Sequence, residues 1–426
     1  MSTDTLERPT LTPVPEAELK ELMVPDHVPR DRIFDLRWAT GMVPVSDIEP
    51  YTKSRTLLHP DTPRVMYYPY PMVGRMGGAW TVHHYEDIRE VYENGDLYST
   101  EGAAAFQFMI GETWPSIPLG IDAPDHTKYR RFLNPYFTPV AMIEMEPRIR
   151  AIITEMIDEV ADKGRVDMSY DFGRVFPVRV FLGLMGFPME MFEQFLAWEW
   201  EILHSNDFER MKVALRGVVD YHQEFIAEKR ANPDDKLASK IIHGEIEGRP
   251  LTDDEIRGTI FFLWLGGLDT VASTISQMFR RLAIDQELQA ELRANPEMIP
   301  GAVEEFLRTQ PLVNSTRKLK RDHEWYGMKM KKGDFVMCIN SAGNFDPDQF
   351  AHADQFDIHR KNNRHFTFVG GPHICLGAHL ARRELRTLLQ EWFRRIPTFR
   401  LAPDASLEVV PGLLSVRNLP IEWDVA

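Results

Sequence analysis

Cysteine is nearly absent: Cys338 and Cys375 are the only two in 426 residues. Two cysteines exclude a disulfide framework and fit a reducing compartment. An excess of positive charge is also lacking. Lys+Arg 49 against Asp+Glu 64 leaves −15, which disfavours general binding to nucleic acid or anionic lipid. No run approaches the roughly 20 apolar residues of a bilayer span. The longest apolar helical stretch, Ile260–Leu265, is soon interrupted by Gly266, Gly267 and Asp269. Residues 1–31 hold Pro9, Pro13, Pro15, Pro25 and Pro29 and lack the apolar core of a signal peptide. The expectation is a cytoplasmic protein, away from membranes, with a flexible arm over 1–31 and a single domain over 32–426. No internal repeat appears, and no GxGxxG after a strand, GxxxxGK[ST], HExxH or GxSxG pattern occurs.

What remains is mostly helix. Apolar residues recur at a helical period over Pro147–Ala161, Met189–Leu203, Phe208–Ala231, Asp253–Leu282, Glu287–Ala294, Ile299–Thr309 and Gly377–Arg395. Thr252-Asp253-Asp254-Glu255 reads as a capping box. Short strands are expected at Arg64–Tyr68, Ala79–His84, Asp334–Ile339 and around Leu414–Leu419. The fold class is mainly α with a small β portion, built as one body around a long central helix.

Cys375 stands in Phe368-Val369-Gly370-Gly371-Pro372-His373-Ile374-Cys375-Leu376-Gly377, an irregular loop just before a helical pattern. Backbone amides at a helix start favour a thiolate. A single thiolate suits the axial position of a haem. His373-x-Cys375 has no companion CxxC or HxxxH, so a zinc site is disfavoured. Cys338, in the apolar run Phe335–Ile339, reads as inert core.

Other constellations leave two readings open. Gly266-Gly267-Leu268-Asp269-Thr270 puts two glycines inside a helix, at about 1 kcal/mol each relative to alanine. Either a ligand lies against them, or another helix packs closely and Thr270 bonds back to its own backbone. Glu305 and Arg308 share a helical face, and Arg360 could supply a second guanidinium; the bland reading is a solvated pair. His126 and Arg130, at i and i+4, could join Arg317 and His373 as donors to two carboxylates; singly, each reads as surface.

Taken together these residues resemble the cytochrome P450 family. The cysteine loop matches at Phe368, Gly371, Cys375 and Gly377, the Glu-x-x-Arg motif at Glu305 and Arg308 with Arg360 as third member, the acid–threonine pair at Asp269-Thr270, and the His-x-x-x-Arg motif at His126 and Arg130. Within the family the chain is most similar to camphor hydroxylase and its relatives, through Gly266–Val271, Leu376–Glu384 and Ile396–Phe399. The resemblance implies haem b between the central helix and the cysteine loop. Cys375 would be the metal ligand, and His126, Arg130, Arg317 and His373 would hold the propionates. Asp269 and Thr270 would be catalytic, relaying protons and ordering a water.

The same resemblance implies a substrate pocket lined by Trp114, Phe262, Leu265, Val313, Leu413 and Leu414, with Phe106, Phe108 and Met109 in a lid. Trp114 falls where camphor hydroxylase carries its ketone-binding tyrosine, and Ser315 where it carries an aspartate near the propionates. The expected activity is hydroxylation of a compact apolar substrate, a terpenoid or norisoprenoid such as an ionone-like or camphor-like ketone, using O2. Electrons would come from a [2Fe–2S] ferredoxin and its NAD(P)H-dependent reductase, docking on Arg360, Lys361, Arg364, Arg382 and Arg383. The alternatives are a peroxide-driven peroxygenase and a non-catalytic haem-binding sensor.

Overall fold

The computed structural model describes residues 7–40, 53–71, 77–103, 105–205, 207–405, 409 and 416–425. The helices that frame the site are α1 (Asp125–Leu133), α2 (Pro139–Val160), α3 (Val175–Met185), α4 (Phe192–Leu203), α5 (Phe208–Ala231), α6 (Asp253–Ile284), α7 (Ile299–Thr309) and α8 (Ala378–Arg395).

Local chemistry sets their starts. The Thr252 hydroxyl accepts the Glu255 N–H at 3.3 Å, and the Glu255 carboxylate accepts the Thr252 N–H at 2.6 Å, closing the expected capping box. α2 begins eight positions before the expected Pro147. Thr138 caps it by accepting the Ala141 N–H, and Pro139 occupies the first turn. Pro147 is then an interior proline. The hydrogen bond it forfeits is offset by core burial of Ile149, Ile152, Ile153, Met156 and Ile157.

α6 is the spine. It gives Ile275, Met278 and Phe279 to a core shared with α2, α3, α7 and α8, and Ile256, Ile260, Trp264 and Leu268 to a core shared with α3, α4 and α5. Contrary to the sequence expectation, α6 is long and apolar enough to cross a membrane, and 67% of that stretch is buried inside the protein. Its apolarity is that of a core helix.

The β portion is small, as expected. A five-stranded sheet runs in the order Val65–Tyr68, Ala79–Val82, Phe335–Cys338, Thr316–Leu319, Tyr98–Ser99. Val336 pairs with Trp80 on one side and Arg317 on the other. A second sheet joins Phe399–Leu401, Pro420–Trp423 and Arg165–Asp167. Its middle strand starts at Pro420, beyond the stretch expected near Leu414–Leu419, of which 416–419 is described and 414–415 is not. The expected loose arm is corrected over its described part. Thr12–Pro13 pairs with Phe34–Asp35, and Val14, Leu19 and Val28 are buried beside the first sheet. Its prolines sit between apolar anchors, so an open composition still gives a packed segment.

A fully buried carboxylate joins α7 to the long loop ahead of Cys375. Glu305 accepts from Arg308 at 2.6 and 3.0 Å, from Arg360 at 3.1 and 3.2 Å, from the Asp357 N–H at 3.0 Å and from Asn363 at 2.9 Å. Arg308 also donates to the carbonyls of Asn344, Ala353 and Gln355. Removing one partner of such a pair leaves a buried charge uncompensated, at roughly 3–5 kcal/mol. Glu305→Gln should therefore lower the thermal midpoint and weaken cofactor retention. Denaturation and absorbance measured on one preparation check this, and a wild-type midpoint would contradict it.

His222 of α5 makes a second, pH-dependent contribution. It is 2% exposed, neither ring nitrogen has a hydrogen-bond partner, and its ring stacks on Phe187 at 5.6 Å. Burial pushes its pKa down to about 3. A folded value below the unfolded one means that the stability is present above about pH 6.5 and is lost as pH falls toward the folded value. His222→Phe should flatten the acid limb of stability by roughly 3 kcal/mol between pH 6.5 and pH 4. Denaturant melts across that range are the check, and parallel wild-type and variant curves would refute it.

Candidate active site

The loop before α8 is forced into shape by close contacts. Gly371 has φ 66°, and a Cβ there would lie 2.3 Å from the Tyr92 carbonyl oxygen. Only glycine meets both conditions. The Cys375 N–H donates to the Phe368 carbonyl at 2.9 Å, folding the loop back on itself. Its sulfur faces the backbone N–H groups of Gly377 and Ala378, with Arg130 and Arg382 near enough to favour its anion. Burial outweighs them and raises the thiol's pKa. The residue is nevertheless open to solvent-sized space. The sulfur therefore borders an internal opening rather than the outer surface. The amides and guanidinium groups expected to favour a thiolate are in place, and a bound metal would displace the thiol proton. Cys338 is buried in the sheet with its thiol pushed up to about 12, as an inert core residue should be.

Two histidines and two arginines gather near the loop. His126 and His373 lie ring to ring at 3.9 Å. Arg130 donates to the Ile374 carbonyl at 2.9 Å, and Arg317 lies over the Tyr92 ring at 5.0 Å. Burial, then the charge of Arg130, pushes His126 down to about 4, and burial, then His126, pushes His373 down to about 3. Among the described residues, Nε2 of His126 and one terminal nitrogen of Arg317 are buried without a hydrogen-bond partner. A donor set with orphaned N–H groups and excess positive charge fits a dianion such as the haem propionates. With one sulfur beside it, the set fits haem b.

The two α6 glycines have different surroundings, and the packing reading holds for one of them. A Cβ at Gly267 would strike the Phe181 ring at 2.5 Å, so this glycine serves packing against α3. A Cβ at Gly266 would meet nothing within 4 Å, so the other faces open space. Thr270 lies one turn on and donates to the Gly266 carbonyl at 3.3 Å. Asp269 turns away from that space: its carboxylate is 2.9 Å from His204 Nε2, and Ser273 donates to it at 3.4 Å. Glu199 stands 3.6 Å from the same His204 nitrogen. Neither His204 nor Glu199 carried a sequence signal, because contacts between α4 and α6 leave no local pattern.

Of the expected pocket residues, Trp114 and Leu265 are buried, and Phe262 and Val313 are half-buried. Leu413 and Leu414 lie outside the described residues. Trp114 packs edge-on to Phe261 at 5.0 Å and its indole nitrogen has no partner. In the short turn Phe106–Ile110, Phe106 is buried, Phe108 is 57% exposed and Met109 packs on the α3–α6 core. The expected docking face is smaller than its sequence suggests. Arg360 is bound to Glu305 with its side chain 6% exposed, Arg382 holds Glu304 at 2.7 Å and Arg383 holds Glu146 at 2.5 Å. Lys361 and Arg364 are exposed.

The Cytochrome P450 family model matches residues 187–411. "Probable cytochrome P450 127A1" of Sinorhizobium fredii is 34% identical over 94% of this chain and 97% of its own. A steroid C26-monooxygenase of Mycobacterium tuberculosis is 30% identical over 79% of this chain and 92% of its own. Among solved structures, CYP101J2 superposes with a TM-score of 0.82 at 30% identity, covering 94% of this chain and 99% of the other. CYP101C1 gives 0.81 at 29%, covering 94% and 100%. With that sulfur, that anion cradle and these relatives, the chain belongs to the cytochrome P450 family, as an O2-dependent monooxygenase that uses haem b.

Proposed function

We propose that this enzyme hydroxylates a compact, apolar ketone of the terpenoid or norisoprenoid class, with electrons from a [2Fe–2S] ferredoxin. The observation that carries the substrate reading is Trp114: it is 2% exposed and its indole N–H lacks a partner among the described residues. A buried donor without an acceptor is costly, and a ligand carbonyl would satisfy it. The apolar faces of Phe262 and Leu265 then favour a hydrocarbon body over a charged one. When bound, haem held by Cys375 supplies oxygen activation, with thiolate donation favouring O–O cleavage. The chain's own part is to orient the substrate, to cradle the propionates with His126, Arg130, Arg317 and His373, and to deliver protons. Gly266 leaves room beside the Thr270 hydroxyl for a water, and Asp269 is the adjacent acid. That pair is needed for oxygen and superfluous for peroxide, which ranks the peroxygenase reading lower. It has no use in a sensor.

Docking of the reductant would use Lys361 and Arg364, with the part-neutralised Arg382 and Arg383 at the margin. Acidic partners are steered by such faces in a salt-dependent way.

A panel of terpenoid ketones, fatty acids and steroids, scored by the Soret shift on binding, tests the substrate class. Ketones such as ionone should give the largest shift, and Trp114→Phe should weaken them several-fold, since a lost hydrogen bond to a neutral group is worth about 1 kcal/mol. Shifts from fatty acids or steroids alone would refute the class. For the proton step, Thr270→Ala should keep oxygen consumption while diverting it to hydrogen peroxide. Peroxide formed per O2 consumed is the measure, and unchanged coupling to product would remove Thr270 from this role.

A further inference from the structure

We propose that Glu199 and His204 form a proton relay that recharges Asp269 from a side cavity. The proposal rests on the oxygenase reading above and concerns the route its protons take. His204 follows the last residue of α4, its side chain is 1% exposed, and its ring stacks on Trp200 at 4.6 Å. One nitrogen, Nε2, faces both acids, at 2.9 Å from Asp269 and 3.6 Å from Glu199. The three groups' oxygen and nitrogen atoms lie within 4.8 Å of one another.

The second acid is the telling part. His204 and Asp269 alone, hydrogen-bonded at 2.9 Å, already satisfy one another. Glu199 adds a carboxyl that is 2% exposed and whose Oε1 has no hydrogen-bond partner among the described residues. Structure alone would favour an apolar residue there. Burial, followed by the charge of Asp269, pushes the Glu199 carboxyl well above the usual carboxylate range, with Arg174 opposing. A carboxyl held toward its protonated form, 3.6 Å from a histidine nitrogen that a second carboxylate already engages at 2.9 Å, is placed as a proton donor.

A cavity of about 460 Å³ touches both Glu199 and Asp269 and opens outward past Trp200 and Tyr170, which are 38% and 63% exposed. The charged or titratable groups facing the cluster are Arg174 and Tyr170 from the segment leading into α3, Glu201 from α4 and Arg417 from the C-terminal segment. α6 adds Ser273 as a hydroxyl. Water in this cavity reaches Glu199 without crossing the face that carries Thr270.

The transfer balances within the chain. Asp269 takes a proton from His204 Nε2. The same nitrogen recovers one from Glu199 Oε1, once that pair closes from 3.6 Å to hydrogen-bond length. The Glu199 carboxylate regains its proton from cavity water. No electrons move and no heavy-atom bonds change. Hydroxylation by O2 consumes two electrons and two protons per product and water formed. The electrons come from the redox partner, and the relay supplies protons. Peroxide brings its own protons and bypasses it.

The test compares holoenzyme with its His204→Gln and Glu199→Gln variants under two drives, oxygen with reductant and hydrogen peroxide. Loss of a positioned proton-transfer group costs roughly 100-fold or more where that step limits. Both variants should therefore lose at least tenfold of oxygen-driven product formation, with a raised solvent deuterium isotope effect. Peroxide-driven product should stay within twofold of wild type. Infrared spectra of the resting protein at neutral pH should show a protonated-carboxyl band that Glu199→Gln removes, a readout independent of turnover. Wild-type oxygen-driven rates in both variants would overturn the relay and leave the oxygenase reading standing. Equal loss under both drives, absence of the carboxyl band, or one zinc bound per chain at this cluster would overturn it too. A wild-type enzyme that yields product under neither drive would sink the oxygenase reading, and the relay with it.

Discussion

The carboxylate of Glu305 is the constraint on which the site depends. It has no contact with solvent, yet it gathers two guanidinium groups, a backbone N–H and an amide. Those partners lie on α7 and on the loop that leads to Cys375. The same clamp is extended by Asn344, which donates to Arg308 O at 2.9 Å and to Thr367 at 3.1 Å while accepting the Phe366 N–H at 2.8 Å. The chain is therefore fixed up to the residue before Phe368, and the loop needs only one further anchor. Gly371 against Tyr92 supplies it. A loop this irregular has no repeating hydrogen bonds of its own, so its shape must be imposed from outside.

The electrostatics of the site are unbalanced in a way that implies its ligand. Four donors lie near the cysteine, two of them histidines whose pKa values are pushed down by burial and by neighbouring charge. In a finished structure, buried polar groups find partners. Here the partner has to be an anion that the chain does not itself provide. Asp122 is already engaged, by the Thr100 N–H at 2.9 Å and Lys320 at 3.0 Å. The nearby carboxylate therefore secures the scaffold and leaves the cradle its positive charge.

Much of this was legible in the sequence, for identifiable reasons. Helix starts such as Thr252–Glu255 are local, so four residues suffice to predict them. The Glu305–Arg308 pair is local too. Arg360 was assigned both to that pair and to a docking face, and geometry permits only the first. Residues 7–31 were misjudged because packing of scattered anchors like Val14 and Leu19 depends on a distant sheet. His204 and Asp269 are 65 positions apart. Nothing in either neighbourhood marks the contact, since it joins two helices that no local pattern relates.

The division of labour on α6 follows from helix geometry. Residues four apart share a face, so Phe262, Gly266 and Thr270 form one stripe, which is open at Gly266. Ile260, Trp264 and Leu268 form another, buried in the core. Asp269 is about 100° round from Thr270 and so belongs to neither. It faces α4, where His204 and Glu199 meet it. Acid and hydroxyl are neighbours in sequence but face different sides of α6, Asp269 toward α4 and Thr270 along the stripe of Gly266.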